Sequence, residues 1–188
     1  MKKHSFSKLE AITPNTLIVG VDIAKNIHWA RFTDYRGIPL AKALRFCNNK
    51  EGFESILTSI KSLGKRNNLD QVLLGLEPTG HYQKPLAHYL TRCGIKVVLI
   101  NPYHTKRAKE LDDNSSTKND KKDALTIARL LGDGRYYQLY LPQDIFDELR
   151  VLSNIRVSLL KRHNALKNTI RAVMDEYFPE LVTVLSIP

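Results

Sequence analysis

The sequence predicts an α/β fold: a mixed sheet with a central parallel part, flanked by helices and followed by a long C-terminal helix. Three observations lead to this prediction. Apolar runs are separated first by turn signals and then by segments with helical periodicity, acidic residues close two of these runs, and the last third changes to a seven-residue apolar repeat. The 188 residues suffice for about one domain with an appendage.

The first third of the chain predicts a β-meander after a flexible lead over residues 1–15. Residues 16–23 have the pattern of a buried strand, and residues 27–34 alternate between apolar and polar side chains. The turn signal YRG follows, and residues 38–46 return as a third strand.

Strands and helices alternate in the middle of the chain, which predicts parallel pairing within one domain over residues 16–140. Residues 111–119 are polar without an apolar period, so we expect a mobile loop there. The elements predicted are helices over 51–64, 82–92 and 120–132, a short helix from Asn101-Pro102, and strands over 71–77 and 95–100.

The segment 141–188 is dominated by a predicted long helix, because residues 144–177 contain neither proline nor glycine. An apolar residue recurs every seven positions at Ile145, Leu152, Leu159, Leu166 and Val173, beside a second stripe of Leu149, Ile170 and Tyr177. This repeat fits a coiled-coil or dimerisation helix, and a core helix of the same domain is the alternative.

The composition favours a polyanionic partner. Lysine and arginine total 29 against 19 acidic residues, for a net charge of +10, which favours nucleic acid first and an anionic membrane second. The two cysteines lack metal-ligand spacing and fit a reducing compartment. The pattern indicates neither a signal peptide nor a membrane span, so we expect a cytoplasmic protein.

Four carboxylates are the strongest functional signal. Asp22 and Glu77 each close a buried-strand pattern, where an acid costs free energy unless it is paired or binds a metal. Asp120 and Asp123, three residues apart, share one face of a predicted helix. Ligands from two strand ends and a helix suit Mg²⁺, or Mn²⁺ in its place, for phosphodiester chemistry.

Each acid also has an ordinary structural explanation. Asp22 could cap a turn, Glu77 could pair with a lysine, Asp120 could be a helix N-cap, and Asp123 could be a first-turn acid favoured by the helix dipole. The combination is more specific than any one member, because these are the places that a metal site at a sheet edge requires.

Basic residues near the acids are candidates for binding a phosphate backbone. The alternative is a solvated basic surface that balances nearby acids. The candidates are Lys25, Lys106, Arg107, Lys109, Lys118, Lys121 and Lys122.

Four segments together resemble the N-terminal half of the DEDD-type bacterial insertion-sequence transposases, which are relatives of the Piv-type DNA invertases and include bridge-RNA-guided recombinases. The segments are IVGVDIAKNIHWARFTDYRG, LGLEPTGHYQKPLAHYL, VVLINPYHTK and KNDKKDALTIARLL, within residues 16–133. The motif NDKKDA is similar to the family's TDxxDA, with Asn119 in place of threonine.

The resemblance implies a RuvC-like, ribonuclease-H-type fold in which the four acids are the metal-binding DEDD set. It also implies DNA recombination, a structured guide RNA, and dimers that assemble into tetramers. Thr79, Gly80, Asn101 and Pro102 match family positions that shape the site.

The family's chain continues into a second catalytic domain that carries a nucleophilic serine. This chain ends at SIP, so we expect a fragment that is inactive alone, and no serine present here is assigned that role. Three alternatives stay open: a Holliday-junction resolvase or nuclease of the same fold, a sugar-kinase-like or actin-like ATPase, and a non-catalytic RNA-binding and dimerisation module.

Overall fold

The structure, a computed structural model, describes residues 8–112, 120–140 and 145–180, without the side chains of Asp112, Asp120, Lys121 and Asp147. The chain divides into two compact units, Met1–Leu139 and Tyr140–Pro188. The first contains the α/β domain, and the second contains the long helix.

The first unit is built on a six-stranded mixed sheet with the order β3-β2-β1-β4-β5-β6. The central strands β1, β4 and β5 are parallel, whereas β2, β3 and β6 pair antiparallel to their neighbours. The strands are β1 Thr16–Asp22, β2 Ile27–Thr33, β3 Leu44–Cys47, β4 Gln71–Leu76, β5 Lys96–Ile100 and β6 Tyr136–Gln138.

Within the described residues, four helices of ten or more residues connect and cover these strands. Helix α1 begins after Asn49, whose side-chain oxygen accepts a hydrogen bond from the Gly52 amide at 2.9 Å, as expected for an N-cap. The helices are α1 Lys50–Asn67, α2 Gln83–Arg92, α3 Pro102–Asp112 and α4 Asp120–Gly132. The mixed sheet with flanking helices confirms the predicted RuvC-like, ribonuclease-H-type fold class.

Both faces of the central strands are buried. Alternate residues of a strand point to opposite faces, and on one face Ile18 and Leu73 pack with Ile127 and Leu131 of α4. Leu17, of opposite parity, is also fully buried. Helices α1 and α2 contact each other, including Phe53 and Tyr89 with ring centroids 5.6 Å apart.

Helix α4 approaches the sheet unusually closely because two glycines lie in register beneath it. Gly20 of β1 is the partner of Gly75 of β4. A Cβ at Gly20 would overlap the Ala124 carbonyl oxygen and the Ala128 amide nitrogen, and a Cβ at Gly75 would meet Leu131 Cδ1 at 2.6 Å. These glycines therefore fix the height of α4 above the sheet.

The third strand is shorter than the predicted 38–46. Thr33 and Pro39 form an isolated bridge, and regular pairing resumes only with Ala30 opposite Leu44. The two registers differ by two residues, so the chain bulges between them. The bridge at Pro39 is closed by the amides of its neighbours, since Leu40 N donates to Phe32 O and Asp34 N donates to Ile38 O.

Strand β6 was not predicted, and it contacts the start of the described chain. Its three residues pair antiparallel with β5. The Lys8 ammonium donates a hydrogen bond to the Tyr136 carbonyl oxygen and lies 5.2 Å from the Tyr136 ring centroid. The described part of the predicted flexible lead therefore contacts the sheet edge.

The second unit contains α5, Ile145–Tyr177, close to the predicted bounds. The predicted seven-residue stripe is exposed within this unit, with Leu152, Leu159 and Leu166 each more than half exposed. Among the helices that the structure describes, none is long and apolar enough to cross a membrane.

Candidate metal and nucleic-acid site

Asp22 and Glu77 lie at the carboxyl ends of neighbouring parallel strands, on the side of the sheet that α4 covers. Gly20 faces α4, and Asp22 has the same parity in β1. Gly75 pairs with Gly20, and Glu77 follows it by two residues, immediately after β4. Both acids are partly buried. The strand pattern thus directs the two carboxylates to one edge of the sheet.

Asp123 enters the same region from the first turn of α4. It lies one turn before Ile127, which packs into the sheet core, and its side chain is 14% exposed. Asp120 is the first residue of α4, three residues earlier, and its side chain lies outside the described residues.

The electrostatics of Glu77 link the strand end to both helices. Burial raises the pKa of Glu77, and the Asp123 carboxylate raises it further. The Lys109 ammonium and a hydrogen bond with the Thr105 side chain oppose this shift and lower the pKa. Thr105 and Lys109 are four residues apart on α3, so they lie on the same face of that helix.

These donors fit a divalent cation. Carboxylate oxygens are the ligands that Mg²⁺ prefers, and a partly buried Glu77 would gain from a positive charge that offsets its burial. Among side chains that the structure describes, however, no group of three His, Cys, Asp or Glu residues is placed to hold a metal ion. Asp120, the fourth expected ligand, is outside that set.

Two loops shape this edge of the sheet. Gly80, in the β4–α2 connection, has φ of 58°, a left-handed value that glycine adopts easily, and the Thr79 carbonyl accepts from the Tyr82 amide at 3.3 Å. Asn101 Oδ1 accepts from the Tyr103 amide at 3.0 Å, and Pro102 occupies the first position of α3. Asn101 therefore starts the helix that carries Thr105 and Lys109.

The predicted phosphate-binding residues differ in their exposure and in their partners. Lys106, Arg107 and Lys122 are exposed near the acids, and Lys25 is exposed in the β1–β2 turn. Lys109 instead pairs with Asp123, at 2.8 Å between Nζ and Oδ2. Lys118 and the side chain of Lys121 lie outside the described residues.

Sequence reasoning missed His28, which fixes the turn after Asp22. Its fully buried ring lies edge-on to Phe46, and Nδ1 accepts from the Ala24 amide at 3.3 Å. Burial lowers the pKa of His28. In the sequence, His28 is one residue of an alternating strand pattern, and nothing in that pattern indicates a buried ring that accepts a hydrogen bond from the preceding turn.

Solved structures give only weak similarities. The ethanolamine utilization protein EutJ from Carboxydothermus hydrogenoformans is 18% identical with a TM-score of 0.33, covering 60% of this chain and 50% of that one. A ROK family glucokinase from Streptomyces griseus is 18% identical with a TM-score of 0.35, covering 54% and 38%. These similarities are too weak to assign a function.

Sequence relatives are more informative. The protein y4uE of Sinorhizobium fredii, whose name describes it as a transposase, is 29% identical over 166 residues, which are 87% of this chain and 45% of that protein. The pilin gene-inverting protein of Moraxella lacunata is 35% identical over 112 residues, or 59% of this chain and 33% of that protein. The chain therefore spans less than half the length of these relatives.

A protein-family model covers both units of the chain. The model DEDD_Tnp_IS110, described as a transposase, matches residues 19–179, which include all four acids and the long helix. The chain belongs to this DEDD transposase family.

Proposed function

We propose that this chain is the metal-binding and nucleic-acid-binding part of a DNA recombinase, with Asp22, Glu77, Asp120 and Asp123 as metal ligands. The observation that carries the proposal is that Asp22 and Glu77 lie at neighbouring strand ends on the face covered by α4, whose first turn carries Asp123. Family membership supports a role in cutting and rejoining DNA.

The residues of the chain would perform distinct tasks in this role. A bound Mg²⁺, or Mn²⁺ in its place, would supply charge stabilisation at the attacked phosphodiester. Asp22 and Glu77 would hold it from rigid strand ends, and Asp123 from the first turn of α4. Thr105 and Lys109 of α3 would help to keep the Glu77 carboxyl group ionised.

Nucleic acid is the proposed partner of the exposed basic residues. Lys106 and Arg107 lie on α3 beside the acids, and the Arg107 guanidinium is 5.3 Å from the Tyr103 ring centroid. The net charge of +10 supports binding of DNA and a structured guide RNA. Replacing Lys121 and Lys122 by glutamate should weaken binding to all sequences and flatten its salt dependence; unchanged affinity would exclude this pair from the interface.

Self-association through α5 is the proposed route to a dimer or tetramer. Apolar side chains recur every seven residues along 33 residues of helix and are exposed within their own unit. Such a seam is buried when two helices pair. Burial in a second copy of the chain would remove this apolar surface from water.

The test is a Mn²⁺ titration followed by electron spin resonance, on the 188-residue chain and on Asp22→Ala/Glu77→Ala. Both proteins are measured with and without duplex DNA or a structured RNA. Metal binding that is lost in the double variant supports the site, whereas equal binding, or none in either protein, refutes it. Metal-dependent cleavage of branched DNA by this chain alone would instead favour a resolvase.

A further inference from the structure

An ion pair joins helices α3 and α4 at the acidic edge. Lys109 Nζ lies 2.8 Å from Asp123 Oδ2, with the lysine side chain 38% exposed and the aspartate 14% exposed. Two further ion pairs among the described residues, Arg36–Asp34 and Lys50–Glu54, join residues close in sequence. The Lys109–Asp123 pair, in contrast, bridges two separate helices.

Lys109 acts on two of the proposed ligands at once. Besides contacting Asp123, its ammonium favours the charged form of Glu77, against the burial of that carboxyl group. Two carboxylates that raise each other's pKa in a partly buried place repel, and a nearby cation offsets the repulsion. The ammonium therefore supplies part of the charge that a divalent metal would supply.

The ammonium and a metal ion compete for the same oxygen. Asp123 Oδ2 accepts from Nζ at hydrogen-bond distance, so direct coordination of a metal through Oδ2 requires the lysine to move. Lysine is a flexible point charge on a four-carbon stem and can reach a new partner without movement of the helix. Its partial exposure leaves a path toward solvent.

We propose that Lys109 is a displaceable counter-ion, which neutralises the acidic site in the metal-free protein and is released by the incoming metal to bind a nucleic-acid phosphate. This inference rests on the proposed function. It makes metal and nucleic acid bind cooperatively, because a phosphate that accepts Lys109 lowers the cost of its release. By linkage, each ligand then raises the affinity of the other by the same factor.

A purely structural role gives a different expectation. If Lys109 only joins α3 to α4, its removal lowers the stability of the chain and leaves metal affinity equal or weaker. If it is a displaceable counter-ion, its removal strengthens metal binding, because the metal no longer displaces a competitor.

The experiment measures Mn²⁺ affinity by spin resonance at about 0.15 M salt, where charges beyond about 8 Å are screened. The full chain is compared with Lys109→Met, Lys109→Gln and Lys109→Arg, each with and without a short duplex DNA of arbitrary sequence. Lys96→Met is the matched control, since it removes the same charge from the start of β5, at the opposite end of the parallel strands.

We expect Lys109→Met and Lys109→Gln to bind Mn²⁺ at least about fivefold more tightly without DNA, within the usual range for coupled sites. DNA should then raise their metal affinity less than it raises that of the parent chain. Lys109→Arg and Lys96→Met should behave like the parent. Thermal melting in the absence of metal verifies that each variant is folded. If Lys109→Met does not fold, the comparison is made with Lys109→Gln.

Two other results separate the inference from the function on which it rests. Equal or weaker Mn²⁺ affinity in both neutral variants overturns the counter-ion while leaving the metal site intact. Absence of Mn²⁺ binding that depends on Asp22 and Glu77 in the parent chain overturns both.

Discussion

Gly20 of β1 lies directly beneath Ala124 of α4, so close that a single methyl group on the glycine would overlap the alanine carbonyl oxygen. Asp22 is two residues beyond Gly20, and Asp123 immediately precedes Ala124. The same backbone contact therefore sets both the packing of the helix and the distance between two proposed ligands. Stability and metal binding should depend on it together.

Substitution of Gly20 by alanine tests this contact. The added Cβ meets backbone atoms, which cannot move aside as a side chain can, so we expect the free energy of unfolding to fall by about 1–3 kcal/mol. Mn²⁺ affinity should fall with it.

The matched control for Gly20 is Gly132→Ala in the last turn of α4. A Cβ there meets Ile18 Cδ1 at an ordinary 3.6 Å, so stability should be unchanged or raised by up to about 1 kcal/mol. Urea unfolding of both variants makes the comparison. Equal stability of Gly20→Ala and the parent chain would contradict the close packing.

Replacing Glu77 by glutamine should stabilise the metal-free chain at neutral pH. Burial raises the pKa of Glu77, so the folded protein loses stability as the pH rises through that pKa and the carboxyl group ionises. Glutamine does not ionise and avoids this loss. Melting temperatures with a chelator present should diverge in favour of the variant as the pH rises from 4 to 7, and added Mn²⁺ should reverse the order. Parallel pH profiles would show that Glu77 ionises without cost.

His28 should make the domain sensitive to mild acid. Its pKa is lowered from 6.5 by burial, so the stability it contributes is present above about pH 6.5 and is lost as the pH falls toward the folded-state pKa. His28→Asn retains an acceptor for the Ala24 amide but cannot be protonated in this range. We expect it to be less stable at pH 7 and to lose less stability between pH 7 and 5. An equal slope in both proteins would refute this assignment.

The exposed stripe of α5 should control self-association. Leu159→Lys/Leu166→Lys places two charges in the apolar seam, and we expect sedimentation velocity to show a loss of dimer at concentrations where the parent chain associates. Asn154→Lys/Asn168→Lys adds the same charges on the opposite side of the seven-residue repeat. Dissociation by both pairs would indicate a general charge effect and no seam.

The elements of the fold were largely predictable, and their boundaries were less so. The helix predicted at 120–132 is present with those bounds, because a polar segment precedes it and Gly132 and Gly134 mark its end. The third strand was predicted too long because a two-residue change of register separates the bridge at Pro39 from the ladder that begins at Leu44. Strand β6 was missed because three residues carry too little periodicity to indicate pairing.

The site was predictable as a set of residues and not as a set of contacts. Asp22 and Glu77 stood out because an acid that closes an apolar strand needs a compensating partner. The pairing of Lys109 with Asp123 joins two helices separated by residues 113–119, and no local pattern encodes it. The assignment of the four acids as metal ligands stays a prediction.

The sequence by itself determined the α/β class, the strand ends that carry acids and the family, because periodicity, composition and motif order are local properties of the chain. Tertiary structure decided which charges meet. Gly20 and Gly75 bring α4 against the sheet, and α3 then places Lys109 in contact with Asp123, where its charge also acts on Glu77. The physical reason is that side chains distant in sequence interact only after the packing of backbones has set their separation.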